Sequence, residues 1–283
     1  MSGFQFFHVE PYSLIPSKNH KRQSARNAAA EADRFAIACP HITQLKQPVR
    51  LYGCSANEAV DEAERIIAFS TDKRGRKIRK DAYIILSGVV SYPIPIAELA
   101  SNDENLKHWV RLNLKFLRQK YGSYFKSAIA HIDEKYFHIH FFVLPEVSSN
   151  NVLKFSSIHD GIRARESISN LGAKAKVRAY KEAMRALQDE YYEHVGISCG
   201  LTREGPKRRR LSREEWIIEQ KSAERLAKAE SRIEQIRSAV KKVQILNRAN
   251  RADIVPRAAD LIMMNNENNN VQTNTINRGD YHV

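Results

Sequence analysis

The hydrophobic and polar positions of the chain predict strands and helices in succession. Short apolar runs predict strands, and apolar residues that recur every three or four positions predict helices. The predicted elements are a strand at 4–9, a helix from Ser24, a helix at 57–69 with Asn57 as N-cap, a strand at 82–90 ended by Tyr92-Pro93-Ile94-Pro95, a helix at 106–121 and a strand region from about Ser127. This order predicts an α/β sandwich with an antiparallel or mixed sheet and helices on one face.

The pattern changes in the second half of the chain. Polar residues after Pro145 predict loops, with a turn at Asp160-Gly161, before a strong helix at 174–194. Beyond Gly205-Pro206, a helix predicted at 212–247 has few apolar residues and alternating charges, which is typical of an extended arm or a short coiled coil. The predicted domains are a folded unit at 1–205, a basic segment with an extended helix at 206–250, and an asparagine-rich, disordered tail at 251–283.

Composition narrows the partners and the compartment. The net charge is +14 and the isoelectric point is near 9.7, a surplus that favours nucleic acid or an acidic membrane surface. The chain has no apolar run long enough to span a bilayer and no secretion signal, so neither membrane insertion nor secretion is expected. Cys39, Cys54 and Cys199 are widely spaced, which fits a reducing cytoplasm better than a disulfide framework.

Basic residues are concentrated in three segments that are predicted to contact DNA phosphates. The densest segment surrounds Gly75, with six basic residues in nine positions, and is predicted to be a hairpin tip or a mobile loop. The others lie at the first helix and after Gly205-Pro206. The predicted phosphate contacts are Arg22, Arg26, Lys73, Arg74, Arg76, Lys77, Arg79, Lys80, Lys207, Arg208, Arg209 and Arg210.

The segment at 126–146 holds the candidate chemistry. Side chains alternate along a strand, so His138 and His140 project to one face, and His131 lies a short turn away. Three neutral imidazoles with open positions are typical of a catalytic metal site rather than a closed structural one.

Two carboxylates, Asp133 and Glu134, lie between these histidines in the sequence. Next to a metal ion, a carboxylate can accept a proton or hold a ligand imidazole in place. We therefore expect Asp133 and Glu134 to act in one of these two ways.

The run from His131 to His140, His-Ile-Asp-Glu-Lys-Tyr-Phe-His-Ile-His, resembles a known motif. It is similar to His-x-Asp-Glu-x-x-Pro-His-x-His of plasmid mobilization relaxases of the MobV type, also called Mob/Pre plasmid recombination enzymes, in the HUH endonuclease superfamily. Phe137 stands where the family usually has proline. The segments at 39–41, 75–90 and 200–216 also resemble members of this group.

The resemblance implies a ferredoxin-like sandwich with a central antiparallel sheet, to which the long C-terminal helical arm predicted from the charge pattern is added. It implies that His131, His138 and His140 hold Mn²⁺ or Mg²⁺. The enzyme would nick one strand at a plasmid origin of transfer, become covalently joined to the DNA 5′ end and rejoin the strand, in the bacterial cytoplasm.

The family's nucleophile lies near the N-terminus, as a histidine in some members and a tyrosine in other relaxases. His20 is our first choice, because the flexible basic loop that holds it suits a scissile phosphate. His8 and Tyr12 are the alternatives.

Two other functions stay open at this point. A replication initiator of the same superfamily would need a tyrosine nucleophile on a helix after the histidine motif, and Tyr180 is the nearest candidate. A non-catalytic DNA-binding protein would keep the basic patches and use the metal only to stabilise its fold. In each case, the helix at 212–247 is a candidate for homodimer contact.

Overall fold

The computed structural model describes residues 3–17 and 22–205, together with a set of helical positions between 215 and 241. The chain divides into two compact units, Met1–Lys207 and Arg208–Val283. In the second unit the described positions are all helical and exposed, as expected for the arm predicted from the sequence. Among the described residues, no helix is long and apolar enough to cross a membrane.

The domain boundaries predicted at 205 and 250 stay predictions. The basic segment at 207–210 and the tail at 251–283 lie outside the described residues.

A five-stranded antiparallel sheet forms the centre of the first unit, as the sequence predicts. Its strands are β1 (Phe6–Ser13), β2 (Val49–Gly53), β3 (Tyr83–Pro95), β4 (Phe125–His131) and β5 (Tyr136–Val143). The order across the sheet is β1-β3-β5-β4-β2, so β5 lies at the middle. A separate antiparallel pair is formed by β6 (Glu146–Val147) and β7 (Leu153–Lys154).

Five α-helices accompany these strands in the part of the chain up to residue 205. They are α1 (Ala25–Ala32), α2 (Ala56–Ala68), α3 (Glu104–Tyr121), α4 (Asp160–Ser167) and α5 (Ala173–Tyr191). Short 3₁₀ turns lie at Ala36–Ala38, Ile96–Glu98, Gly122–Tyr124, Phe155–Ser157 and Ile197–Cys199, and a π turn at Tyr192–Gly196.

Helices cover both faces of the sheet, so the prediction of helices on one face is wrong. Consecutive residues of β5 enter different cores: Phe141 packs with residues of α3 and α5, and Phe142 packs with residues of α1 and α2. The physical reason is visible in the strand itself, because apolar residues on both faces of a strand require cover on both. We call the side that carries Phe142 the α1/α2 face.

Two strand predictions need correction. β3 continues through Pro93 and Pro95, which were expected to end it. Proline is tolerated there because the ladder to β1 ends at Ser91 and the ladder to β5 is irregular between Ser91 and Pro95. β2 was not predicted, because its residues are only partly buried or exposed and form no apolar run.

Two helix starts also differ from the prediction. The N-cap of α2 is Ser55 rather than Asn57, and Ser55 forms a capping box with Glu58. The turn predicted at Asp160-Gly161 is instead the first turn of α4, where the His159 side chain accepts the Ile162 N–H and caps the helix.

Candidate metal centre

Three imidazoles converge on the α1/α2 face where β4 ends and β5 begins. His131, the last residue of β4, lies opposite His138 in the antiparallel ladder, and His140 follows two positions later on the same face. One ring nitrogen of each residue lies within 4.8 Å of the others. His131 and His138 are buried, and His140 is partly exposed. The fold therefore brings together the three histidines that the sequence predicts to be ligands.

Hydrogen bonds to backbone carbonyl oxygens determine which ring nitrogens of this cluster carry lone pairs. His131 Nε2 donates to the Ala32 carbonyl oxygen at 2.7 Å, and His138 Nδ1 donates to the Tyr136 carbonyl oxygen at 2.9 Å. In the neutral form that binds a metal, each ring has a single N–H, so His131 Nδ1 and His138 Nε2 then both carry lone pairs. These two nitrogens face each other at 3.0 Å. Lone pairs this close repel one another unless a cation lies between them.

The spacing of the facing nitrogens fits a divalent cation. Two imidazole nitrogens that each lie about 2.1 Å from one ion, at a right angle, are about 3.0 Å apart. Ligand histidines in metal sites also donate their other N–H to a carbonyl or carboxylate, as both residues do here. The residues present therefore fit a metal ion in chemistry and in spacing.

Burial disfavours a proton on two of the three imidazoles. Together with the nearby Arg34 charge, it lowers the pKa of His131 to about 4. Burial also holds the pKa of His140 well below its usual value. Both imidazoles are therefore neutral near pH 7, which is the state that binds metal.

The two carboxylates of the motif share one guanidinium. Arg34 Nη2 donates to Asp133 Oδ1 at 2.6 Å and to Glu134 Oε1 at 2.7 Å. The Asp133 side chain is 1% exposed, and its other oxygen accepts the Lys46 N–H. The Glu134 side chain is 38% exposed, and its Oε1 lies 3.5 Å from His138 Nε2. Of the two predicted proton acceptors, Glu134 has the access to act directly, and Asp133 is placed to hold Arg34.

Both carboxylates are ionised at neutral pH. Burial alone would raise the pKa of Asp133, but the hydrogen bonds from Arg34 and from the Lys46 amide outweigh burial and lower it. Burial would also raise the pKa of Glu134, and its electrostatic contacts with His138 and Arg34 lower it instead. The site therefore places negative charge beside the imidazoles.

His20, our first-choice nucleophile, lies outside the described residues. The ends of its loop are joined, because the Ser17 N–H donates to the Arg22 carbonyl oxygen at 2.8 Å. Arg22 Nε lies 2.7 Å from Glu10 Oε1. Glu10 lies on the α1/α2 face, since Tyr12 packs in that core and donates to the second Glu10 oxygen at 3.1 Å. The loop is thus anchored on the face that carries the imidazoles.

The two alternative nucleophiles, His8 and Tyr12, differ in how well they suit the chemistry. His8 pairs with Val89, which pairs with His140, so His8 lies two strands from His140, or about 10 Å. Burial and the Glu10 carboxylate raise the pKa of Tyr12 well above its usual value. The Tyr12 phenol is therefore a poor nucleophile.

Tyr180, the nucleophile that a replication initiator would need, lies in a different cluster. Its ring packs 5.6 Å from the ring of His159 and covers Gly161. Burial raises the pKa of Tyr180. These contacts give Tyr180 a packing role, and none of them involves the three metal-centre histidines.

The basic loop at 73–80 contains two classes of side chain. Lys73, Arg76 and Arg79 form ion pairs with Glu166, Asp72 and Asp81. Arg74, Lys77 and Lys80 are exposed and form no ion pair with a described residue. The second class is the better placed to meet phosphate.

The remaining predicted phosphate contacts are less favourable or untested. Arg22 pairs with Glu10 and also donates to the Tyr83 hydroxyl. Arg26 pairs with Asp61 and Glu64. Their guanidinium groups are occupied within the protein, so their contact with DNA stays a prediction. Lys207 and the arginines at 208–210 lie outside the described residues.

Two parts of the centre were not predicted from the sequence. Arg34 is one of several basic residues near the first helix and has no distinguishing sequence pattern, and the Ala32 carbonyl oxygen carries no signal in a sequence. Both lie about a hundred positions from the residues they contact. No local pattern could have revealed them.

Comparisons with known proteins agree with the motif. The model of the family described as Mob_Pre, plasmid recombination enzyme, matches residues 54–215. No protein of curated function matches the chain in sequence.

Several solved structures are similar to the chain. A MobM relaxase domain (MOBV; Mob_Pre) bound to 23-nucleotide plasmid pMV158 oriT DNA, in a Mn-bound crystal structure, has 15% identity and a TM-score of 0.48, over 77% of this chain and 98% of that chain. The same domain bound to 26-nucleotide oriT DNA has 13% identity and a TM-score of 0.43, over 76% and 99% of the two chains. A Staphylococcus aureus structure described as the molecular basis of vancomycin resistance transfer has 12% identity and a TM-score of 0.39, over 72% and 100%.

These structural scores are low, so the assignment does not depend on them. The family model, however, matches more than half of the 283 residues, including the whole histidine motif. The chain therefore belongs to the Mob_Pre family and is a plasmid recombination enzyme.

Proposed function

We propose that this enzyme is a relaxase, which nicks one strand of plasmid DNA and rejoins it in a metal-dependent reaction. The reaction would pass through a covalent link between the protein and the DNA 5′ end. The observation that carries the proposal is the cluster of His131, His138 and His140, in which His131 Nδ1 and His138 Nε2 face each other at 3.0 Å, in a member of a plasmid recombination family.

The ion would be held by His131, His138 and His140. When bound, it would polarise the scissile phosphodiester and stabilise the charge that develops on its oxygens. Mn²⁺ is the better candidate of the two ions, because three imidazoles suit a transition metal, whereas Mg²⁺ prefers oxygen ligands.

His20 is the nucleophile that we propose. Glu10, which anchors the His20 loop through Arg22, lies two strands and one row of side chains from His140 on the same face. The Cα atoms of Glu10 and His140 are therefore about 12 Å apart. His20 is two residues from Arg22 in sequence. The ion pair of Arg22 with Glu10 on the imidazole face supports attack by His20 on a phosphate held at the metal centre.

The covalent step balances without another reactant. A neutral His20 nitrogen would attack phosphorus, and the bond from phosphorus to the 3′ oxygen would break. The second imidazole nitrogen would lose its proton to Glu134, and Glu134 would pass that proton to the leaving 3′ oxygen. The same steps in reverse would rejoin the strand, because the phosphorus remains covalently bonded to the protein instead of being released by hydrolysis.

The rest of the chain would bind the DNA around this step. Arg74, Lys77 and Lys80 would contact phosphates, since their charges are not neutralised by a described partner. We assign catalysis to 1–205 and further DNA contact to the basic segment after it. The helix at 212–247 remains a candidate dimer contact, and the bacterial cytoplasm is the expected compartment, because plasmid DNA is there.

The test is to incubate purified protein with a supercoiled plasmid that carries the DNA region upstream of the protein's own gene, in the presence of Mn²⁺ or of a chelator. We expect nicked circles with Mn²⁺ and none with chelator. His138→Ala should abolish nicking and largely keep DNA affinity. His108→Ala is the matched control, because His108 is an exposed histidine on α3, and it should nick as the wild type does.

Two results would contradict the proposal. DNA that is bound but left intact with every metal would favour the non-catalytic DNA-binding protein. Nicking that His138→Ala retains would show that the histidine cluster is not the catalytic centre.

A further inference from the structure

Three consecutive residues at the end of α1 make contacts with other parts of the fold, and two of these contacts are with the metal centre. The Ala32 carbonyl oxygen accepts the His131 Nε2 proton. The Asp33 carboxylate accepts the Ala56 and Asn57 N–H groups, at 3.0 and 2.8 Å, and so ties the end of α1 to the start of α2. Arg34 follows with its hydrogen bonds to the motif carboxylates. This segment at 32–34 therefore connects the sheet, both helices and the acidic pair.

The backbone of Arg34 indicates that its side chain is required at this position. Its φ is +61°, in the left-handed region, where glycine is the favoured residue. Arg34 and Asn151 are the non-glycine residues with positive φ among those described. The Arg34 side chain is 3% exposed, so its guanidinium serves contacts inside the protein. An arginine at a strained, buried position is explained by those contacts rather than by the turn.

We propose that Arg34 is a positioning residue of the metal centre and that it acts through Glu134. Its Nη2 is shared between Asp133, which is buried and held by the Lys46 amide, and Glu134, which is partly exposed. Asp133 fixes the guanidinium, and the guanidinium fixes Glu134 beside His138. The inference rests on the proposed metal-dependent function.

The consequence concerns affinity for the ion. With Arg34 present, the Glu134 carboxylate stays 3.5 Å from a ligand nitrogen and adds negative charge beside the cation. Without Arg34, the partly exposed Glu134 can turn to solvent, and we expect the loss of its negative charge to outweigh the relief from the repulsion between the Arg34 charge and the cation. Partners outside the ligand set typically change metal affinity by about 10- to 100-fold.

The experiment is a double-mutant cycle on Mn²⁺ affinity, measured by calorimetry on the full chain without DNA. The variants are Arg34→Gly, Glu134→Gln and both together. Glycine accepts the left-handed backbone, so Arg34→Gly removes the guanidinium without adding strain. Arg34→Lys keeps a charge that can donate to both carboxylates. Lys120→Met is the matched control.

Lys120 is a suitable control because it is also a buried cation shared by two carboxylates. Its Nζ lies 3.1 Å from Asp160 and 2.6 Å from Glu190, and its side chain is 11% exposed. It lies on α3, which covers the opposite face of the sheet. Lys120→Met should therefore leave Mn²⁺ affinity unchanged.

We expect each single change, Arg34→Gly and Glu134→Gln, to weaken Mn²⁺ binding by about tenfold or more. The Mn²⁺ affinity of the double variant should be within about threefold of that of Glu134→Gln, because both changes remove the same contribution, that of the positioned Glu134 carboxylate. Arg34→Lys should recover part of the loss. If Arg34→Gly does not fold, the same cycle is built with Arg34→Lys, and its partial loss should vanish in the Glu134→Gln background.

The proposal is overturned if the Arg34 variants bind Mn²⁺ as the wild type does, or if the double variant loses the product of the two single losses. A wild type that nicks no DNA would reject the relaxase function, whatever the cycle shows. A wild type that nicks, with Arg34 variants of normal affinity, would reject the positioning role alone.

Discussion

At the scale of single residues, the metal centre is fixed by backbone groups as much as by side chains. His131 is oriented by a carbonyl oxygen at the end of α1, and His138 by one at the start of β5. Each lone pair faces inward because the other nitrogen of its ring is already bonded. The centre is therefore formed before an ion arrives, provided that α1 and β5 are in place.

A buried histidine outside the metal centre gives a prediction about pH and stability. Burial lowers the pKa of His159 to about 4, from an unfolded value near 6.5. The unfolded chain therefore binds this proton first, and stability is lost as the pH falls from 6.5 towards 4. His159→Asn removes the titrating group, and asparagine can still cap α4.

We expect the free energy of unfolding to fall between pH 7 and pH 5 by about 2 kcal/mol less in His159→Asn than in the wild type. Urea unfolding at both pH values, with chelator present, measures the difference. The other buried histidines titrate alike in both proteins and cancel. Equal losses in the two proteins would show that His159 is not held neutral by burial.

Prediction from the sequence succeeds at this scale where a role is encoded locally. Two alternating histidines and a third nearby were enough to predict the cluster, because strand periodicity places their side chains. Arg34 was missed, because its partners are distant in sequence and its left-handed backbone leaves no pattern.

At the scale of elements, β2 forms one edge of the sheet, beside the two strands that carry the metal-centre histidines. It pairs with β4, and it ends at Gly53, whose φ is +66°. A Cβ at this position would overlap the Lys126 carbonyl oxygen. β2 therefore keeps its pairing only with a glycine at its end.

Gly53→Ala should destabilise the protein by about 3 kcal/mol, from the left-handed backbone and the clash together. Gly75→Ala is the control, since Gly75 has a φ of +72° and open space around its Cβ. It should show the backbone effect alone, about 1 kcal/mol. Thermal unfolding of both variants measures these effects, and equal losses would mean that β2 is not packed against β4 as described.

The same contrast explains which elements could be predicted. β3 and β5 are apolar on both faces and were found from composition alone. β2 has no apolar run, and α4 buries just Gly161 and Ile162, so neither gives a periodic signal. The order of elements along the chain does not determine tertiary packing. It therefore could not show that helices cover both faces of the sheet.

At the scale of the whole molecule, the exposed basic loop at 73–80 lies far from the metal centre. The basic loop precedes Tyr83 at one end of β3, and Ser91, beside His138, lies eight residues further along the strand. That span is about 26 Å. One DNA strand that contacts both would run along much of the sheet, and its affinity should depend strongly on salt.

Replacing Arg74, Lys77 and Lys80 with glutamine should reduce the slope of log affinity against log salt by about two for single-stranded DNA. The matched control replaces Lys73, Arg76 and Arg79, whose charges are already neutralised by carboxylates. Its slope should change by less than half as much. Fluorescence anisotropy at several salt concentrations measures both slopes, and equal changes would contradict the division between paired and unpaired side chains.

The central claim, strand transfer through a covalent link, is tested most directly by mapping the protein–DNA adduct. Protein is incubated with its origin DNA and Mn²⁺, digested with protease, and the peptide attached to DNA is identified by mass spectrometry. We predict an adduct at the 5′ end of the nick, on the peptide that contains His20. A nick with a free 5′ phosphate and no attached peptide would contradict strand transfer, and an adduct on Tyr180 would identify a replication initiator.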